Sequence, residues 1–144
     1  MNKRKIFECD SILLHTVIKS KIESSNLKSF FYELSYRLPT LVASREFQMH
    51  NISFSELDKI ANKIIDLDTK GVLVYSCLSL SVLIHIYLCC ANISSKIVIG
   101  SCVVGNKVFS HAWVKTSNGH LFDYRYDTFK YKPIKFIDVL GGDL

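Results

Sequence analysis

Ser76-Cys-Leu-Ser-Leu-Ser-Val-Leu-Ile-His-Ile-Tyr-Leu-Cys-Cys90 is the stretch on which the fold turns. From Cys77 onward it is apolar on nearly every side, with His85 as its one strongly polar interruption. Fourteen residues from Cys77 to Cys90 exceed an ordinary strand and fall short of the ~20 that cross a bilayer. A helix of this kind is stable in water only if other elements enclose it on most sides. Ser76 is placed as its N-cap, which puts Cys77 in the first turn of a buried helix.

Downstream the texture changes. Lys96-Ile-Val-Ile-Gly-Ser-Cys-Val-Val104 is β-branched, Gly105-Asn106 supplies a turn, and Lys107-Val-Phe-Ser-His-Ala-Trp-Val-Lys115 returns as a second strand. Asn118-Gly119 turns the chain again into His120-Leu-Phe-Asp-Tyr-Arg125, so at least three sequential antiparallel strands are expected. Upstream the pattern is helical. Leu13, Leu14, Val17 and Ile18, then Phe30, Phe31, Leu34 and Leu38, recur at three- and four-residue steps between Ser11 and Gln48. Ser53 and Glu56 form a capping box, Ile52 can staple onto Leu57, and Gly71 closes a helix expected from about Phe54 to Leu67. Helices first and strands last imply an α+β fold. The chain reads as one domain, 1–144, with a helical part over about 1–70 and the Cys-bearing helix and small antiparallel sheet over about 71–144.

Composition excludes several classes. Only 22% of the 144 residues are charged against 49% hydrophobic, and no low-complexity segment suggests a linker or disordered tail. The net charge of +5 is scattered, without the aromatic interleaving of a nucleic-acid binder. Glu8, Asp10 and His15 interrupt any apolar segment that could follow the basic N-terminus, so neither export nor membrane insertion is expected. Five cysteines without a Cys-x-x-Cys pair suggest free thiols in a reducing, cytoplasmic compartment and no zinc site.

The chemistry sits on three residues. At a helix N-terminus the unpaired amides and the positive dipole end favour a thiolate, so Cys77 is the candidate nucleophile. A thiolate needs a base oriented by a carboxylate, and His111 and Asp123 on consecutive strands fit. Register decides whether they meet. A two-residue Asn118-Gly119 loop pairs Val114 with Asp123 and leaves His111 on the other face. A three-residue loop, Ser117-Asn118-Gly119 with Gly119 left-handed, pairs Thr116 with His120 and Trp113 with Asp123, so that His111, Trp113 and Asp123 share one face. A catalytic trio therefore predicts the longer loop.

Other candidates carry plainer readings. His85 is two turns along the helix from Cys77 and reads as a hydrogen-bonded core histidine. Cys89, Cys90 and Cys102 read as core thiols, His120 as an exposed turn residue, and His15 and His50 have no evident partner. Trp113 either fills core or walls the cleft against water. Lys130, Lys132 and Lys135 read as a solvated edge, with contact to an acidic peptide as the alternative.

The segments Cys77-Leu-Ser-Leu-Ser, Ile97-Val-Ile-Gly100, His111-Ala-Trp-Val114 and Asp123 resemble the lasso peptide B2 family of leader peptidases, within the transglutaminase-like superfamily. The likeness covers Cys77 to Asp123, about half the chain, and departs at Cys89-Cys90-Ala-Asn-Ile-Ser, where many members carry an arginine-rich turn. The resemblance implies a papain/transglutaminase-like fold. It also implies a Cys77–His111–Asp123 triad that removes the leader from a ribosomally made precursor peptide, without metal or organic cofactor. It further implies two partners, a separate leader-binding protein and a lasso cyclase. Transfer of the acyl group to an amine on the same site, or a non-catalytic peptide-binding scaffold, are the alternatives.

Overall fold

The computed structural model describes residues 3–43, 52–125 and 127–140. Four helices precede four strands: α1 (Lys3–Ser24), α2 (Leu27–Ala43), α3 (Phe54–Thr69), α4 (Cys77–Cys90), β1 (Ser95–Val104), β2 (Lys107–Thr116), β3 (Leu121–Phe122) and β4 (Lys132–Ile137). The α+β expectation therefore holds. The expected end of the first helical region at Gln48, and His50, lie outside the described residues.

Burial organises everything around α4. From Ser79 to Cys90 each of its residues is buried, and it packs against α1, α2, β1 and β2. Both ends of the helix are finished locally. At the N-terminus the Ser79 N–H donates to Ser76 Oγ at 3.0 Å and the Ser76 N–H donates to Ser79 Oγ at 2.9 Å, a capping box with Ser at both corners. At the C-terminus Asn92 takes φ 59°, and the amides of Asn92 and Ile93 return to Cys89 and Leu88, so the chain leaves directly into β1. α3 repeats the scheme, with the Ser53–Glu56 capping box and a Gly71 terminator at φ 74°.

The sheet runs β3-β2-β1-β4, all antiparallel. Gly105-Asn106 makes the tight turn between β1 and β2, closing on Val104 opposite Lys107. Ile97, Val114, Phe122 and Ile137 belong to the core with α4, so the sheet buries that face on the helix. β4 was not expected from the pattern of the sequence. It pairs β1 along the outer edge, its residues exposed up to Ile137, with an irregularity where Gly100 meets Pro133. On the face away from α4, Gly100 has no side chain because none fits: a Cβ there would lie 2.8 Å from Trp113 Cη2 and 2.9 Å from Tyr131 Cβ.

Two buried histidines tie the layers. His85 accepts the Val139 N–H at Nε2 (3.3 Å), which leaves Nδ1–H to donate to Ser95 Oγ at 2.8 Å. His15 on α1 bonds Ser79 Oγ at 2.8 Å, inside the α4 cap. Burial lowers the pKa of each to about 4.

Two outcomes follow. Gly100→Val should cost about 1–3 kcal/mol by overpacking, read as a lower urea midpoint; an unchanged midpoint would mean that Trp113 and Tyr131 yield freely. Histidines held neutral from 6.5 down to about 4 bind a proton more readily in the unfolded chain. Their stabilisation is thus lost as pH falls below 6.5, by about 2 kcal/mol per histidine between pH 7 and pH 5. His85→Gln should remove its share of that pH dependence; an identical acid slope in the variant would refute the assignment.

Candidate active site

Cys77 is the first residue of α4, immediately after its cap, and is half-buried. The capping box uses the amide of Ser79 and leaves those of Cys77 and Leu78, at the positive end of the dipole, outside the helical ladder. Ser81 Oγ–H donates back to the Cys77 carbonyl at 2.7 Å.

Counted from the hydrogen-bonded Thr116–His120 pair, the loop between β2 and β3 has three residues, Ser117-Asn118-Gly119. Gly119 sits at φ 91°, the Thr116 N–H donates to the His120 carbonyl at 2.9 Å, and Val114 pairs with Phe122. That register sets Trp113 against Asp123 and places His111 on their face. His111 Nε2–H donates to Asp123 Oδ1 at 2.8 Å, both side chains nearly sealed from solvent at 2% and 8% exposure.

The Asp123 carboxylate has further donors. Oδ1 accepts the Arg125 N–H at 3.2 Å, and Oδ2 accepts those of Asp127 and Thr128 at 3.1 and 3.0 Å, where the chain enters a 3-10 turn at Thr128–Lys130. β3 stops at Phe122 as a result. Had it continued, Tyr124 would have paired with Ala112, whose N–H points away from β1. That amide is left at an uncovered edge of β2 and donates to the Cys77 sulfur instead.

Three ionisable groups now bias one another. Burial pushes the Cys77 thiol up, but it is outweighed by the hydrogen bond from His111, the Ala112 N–H and the positive charges of His111 and Arg125, so its pKa is lowered. Burial works against a charged His111, yet Cys77 and Asp123 together raise its pKa. Burial likewise opposes the Asp123 carboxylate, and His111 with the amides of Thr128 and Arg125 keeps it below the ordinary carboxylate value. With Nε2 committed to Asp123, Nδ1 is the ring nitrogen left for the sulfur, and it has no hydrogen-bond partner among the described residues. Both shifts move the pair toward a thiolate beside an imidazolium.

The imidazole packs against two rings, Trp113 at 5.6 Å and Tyr131 at 5.1 Å between centroids. Trp113 thus backs His111 and is absent from the crevice over Cys77, whose sides are Tyr75, Leu80, Phe122, Tyr124 and Arg125. Tyr124 is steadied by its hydroxyl, which donates to Asp58 Oδ1 at 3.0 Å. Asp127 Oδ1 approaches His111 Nε2 at 3.7 Å. Ligand atoms of His111, Asp123 and Asp127 lie within 4.8 Å of one another, the one cluster of metal-binding type among the described residues. A cation there would have to displace the His111–Asp123 hydrogen bond and compete with three amides already on Asp123, so the donor set suits hydrogen bonding better than coordination.

The sequence had marked Cys77, His111, Asp123 and Trp113; the structure brings the first three together and sets Trp113 behind His111, outside the crevice that it was to wall. It missed Tyr131, Asp127, Arg125 and the Ala112 amide. Gly100 inside a β-branched strand was the available signal for the ring pair, and the spacing Asp123-x-x-x-Asp127 for the second carboxylate. His85 belongs to the core, as its place on the helix implied.

A half-exposed cysteine thus stands at the start of a buried helix, beside a histidine and an aspartate from an antiparallel sheet. The family model described as "Transglutaminase-like superfamily" matches residues 43–135, and the chain belongs to that superfamily. Its members are typically cysteine peptidases or acyltransferases. No curated protein and no solved structure matches the chain.

With the Cys77 pKa lowered and the His111 pKa raised, Cys77 should carry more thiolate in mildly acidic buffer than an ordinary thiol does; further acid protonates the sulfur, and base discharges the imidazolium. Iodoacetamide at pH 6 should therefore label Cys77 well ahead of Cys9 and Cys102, as mapped by peptide mass. His111→Ala should abolish that advantage, leaving a half-buried thiol that reacts only near or above its ordinary pKa of about 8.5. Equal labelling of the three thiols at pH 6 would contradict the ion pair.

Proposed function

We propose that the chain is a cysteine peptidase with Cys77, His111 and Asp123 as its triad, and that it removes the leader from a ribosomally made lasso peptide precursor. The observation that carries the first part is the convergence of the three side chains at the exposed end of a buried helix. The second part rests on the sequence likeness of Cys77-Leu-Ser-Leu-Ser, Ile97-Val-Ile-Gly100 and His111-Ala-Trp-Val114 to the B2 leader peptidases.

In this reading the Cys77 thiolate attacks the scissile carbonyl. The amides of Cys77 and Leu78 face the developing oxyanion, a role that needs no side chain. Imidazolium His111 gives its Nδ1 proton to the leaving amine, and water, deprotonated by the same nitrogen, then releases the acyl group from sulfur. Asp123 holds the tautomer with hydrogen on Nε2 and stabilises the charged ring. α1 and α2 are spent on enclosing α4 and α3 packs on α1, so recognition of the leader falls to a separate leader-binding protein, and the product passes to a separate lasso cyclase. The reaction belongs in the cytoplasm, where precursors are made; no helix among the described residues is long and apolar enough to cross a membrane.

Incubation with a lasso precursor and its leader-binding protein should give two fragments whose masses sum to the precursor plus one water. Cys77→Ala should reduce the rate at least about 10³-fold, and Asp123→Asn by about 10²-fold or more. Fragments joined to an added amine in place of water would select the acyltransferase alternative, and undiminished cleavage by Cys77→Ala would defeat the triad altogether.

A further inference from the structure

We propose that Arg125 makes the site selective for a carboxylate on the substrate close to the bond that Cys77 attacks, supplied either by an Asp or Glu side chain or by a terminal carboxylate. The inference rests on the thiol-enzyme reading above and names the substrate chemistry that the same crevice accepts.

Four observations support it. Arg125 is exposed and lines the crevice together with Cys77 and His111. Its main chain is fixed there, because its N–H donates to Asp123 Oδ1 at 3.2 Å. Its charge acts on the Cys77 sulfur, so the guanidinium stands within electrostatic reach of the reacting atom. Finally, no carboxylate among the described residues pairs with that guanidinium, whereas Arg37 on α2 is bound to Glu33 at 3.1 Å.

Two of the neighbouring acids are occupied by other donors, and the third, Asp127, turns Oδ1 toward His111 Nε2 at 3.7 Å. Asp123 already accepts four donors, from His111, Arg125, Asp127 and Thr128, and Asp58 accepts the Tyr124 hydroxyl. The remaining sides of the crevice are the rings of Tyr75, Phe122 and Tyr124 with Leu80, Ser81 and Ala112, which offer no competing charge. A planar fork of donors next to apolar walls matches a carboxylate held in two-point contact. A substrate cation at the same place would meet both Arg125 and the His111 imidazolium.

A purely supporting role for Arg125, in which it only eases ionisation of Cys77, predicts the same loss with every alkylating reagent. The two roles separate on charge. Iodoacetate and iodoacetamide attack the same thiolate and differ by one carboxylate, so the ratio of their rates at Cys77 cancels any change in thiolate fraction. At pH 6 and low ionic strength, Arg125→Gln should lower the iodoacetate-to-iodoacetamide ratio by about fivefold or more, and Arg125→Lys should retain part of it. Added salt should shrink the wild-type preference. A ratio unchanged in Arg125→Gln overturns the proposal while leaving the thiol site intact. Failure of wild-type Cys77 to react with iodoacetamide at pH 6 removes the thiol-enzyme reading, and this inference with it.

Protection of Cys77 from iodoacetamide identifies the source of the carboxylate. Three short acetylated peptides serve: one amidated with a central Glu, its Gln counterpart, and the Gln peptide with a free C-terminus. Protection of the wild type, but not of Arg125→Gln, by the Glu peptide assigns a side chain, and by the free acid a terminus. Equal protection by all three peptides, or by none, overturns carboxylate recognition.

Discussion

The enclosure of α4 is the constraint on which the rest of the structure depends. A helix with no polar face has to be covered by α1 and α2 on one side and by β1 and β2 on the other. Only its two ends can then reach the surface. The C-terminal end is consumed by the Asn92 turn that feeds β1. The N-terminal end is therefore where the interior of the protein meets solvent, and it carries the free amides and positive potential that a thiolate requires. His15 reaches this end from α1 and bonds Ser79 Oγ, so the enclosing layer also grips the cap that orients Cys77.

Within that frame no member of the site is charged on its own account. Burial opposes the ionised form of Cys77, of His111 and of Asp123, and in each case it is the largest single influence. Their ionisation is a property of the group. Asp123 is the anchor because its partners are mostly main-chain amides, whose positions are fixed by the turn after β3 and which cannot titrate. Its charge favours a protonated His111, a protonated His111 favours the Cys77 thiolate, and the rings of Trp113 and Tyr131 pack beside the imidazole. Deleting any one of these groups changes the protonation of the others, so the effects of single substitutions should not add.

What could be read from the sequence was what local chemistry fixes. The Ser76 cap, the Ser53–Glu56 box and the Gly71 terminator each depend on residues within a few positions of one another, and each stands where the residues implied. The pairing of β2 with β3 was also accessible, because a loop of two or three residues leaves only two registers and chemistry chose between them. β4 was not accessible. An edge strand exposed over most of its length, with Pro133 at an irregularity, has no reason to alternate apolar and polar residues, and its pairing with β1 is a long-range choice. The first helix begins at Lys3, ahead of the apolar steps from Leu13 that signalled it, for the same reason: its opening turns carry little pattern. The burial of His15 likewise depends on how α1 meets α4, which no local spacing records.

The shortness of β3 shows how sequence texture and site chemistry can point in different directions. His120 to Arg125 has the composition of a strand, yet only Leu121 and Phe122 form one. The reason lies in Asp123 itself. A short carboxylate side chain competes with the ladder for nearby amides, and here it captures those of Arg125, Asp127 and Thr128. Chain that would have extended β3 turns away before it can cover Ala112. Were it to continue, Tyr124 would occupy the Ala112 amide and stand where the Cys77 sulfur now lies. The residue that orients the imidazole therefore also clears the space in which the thiolate meets it. Asp123 is placed by the register of β3 and at the same time ends that strand, so the site needs the hairpin to form and then to stop.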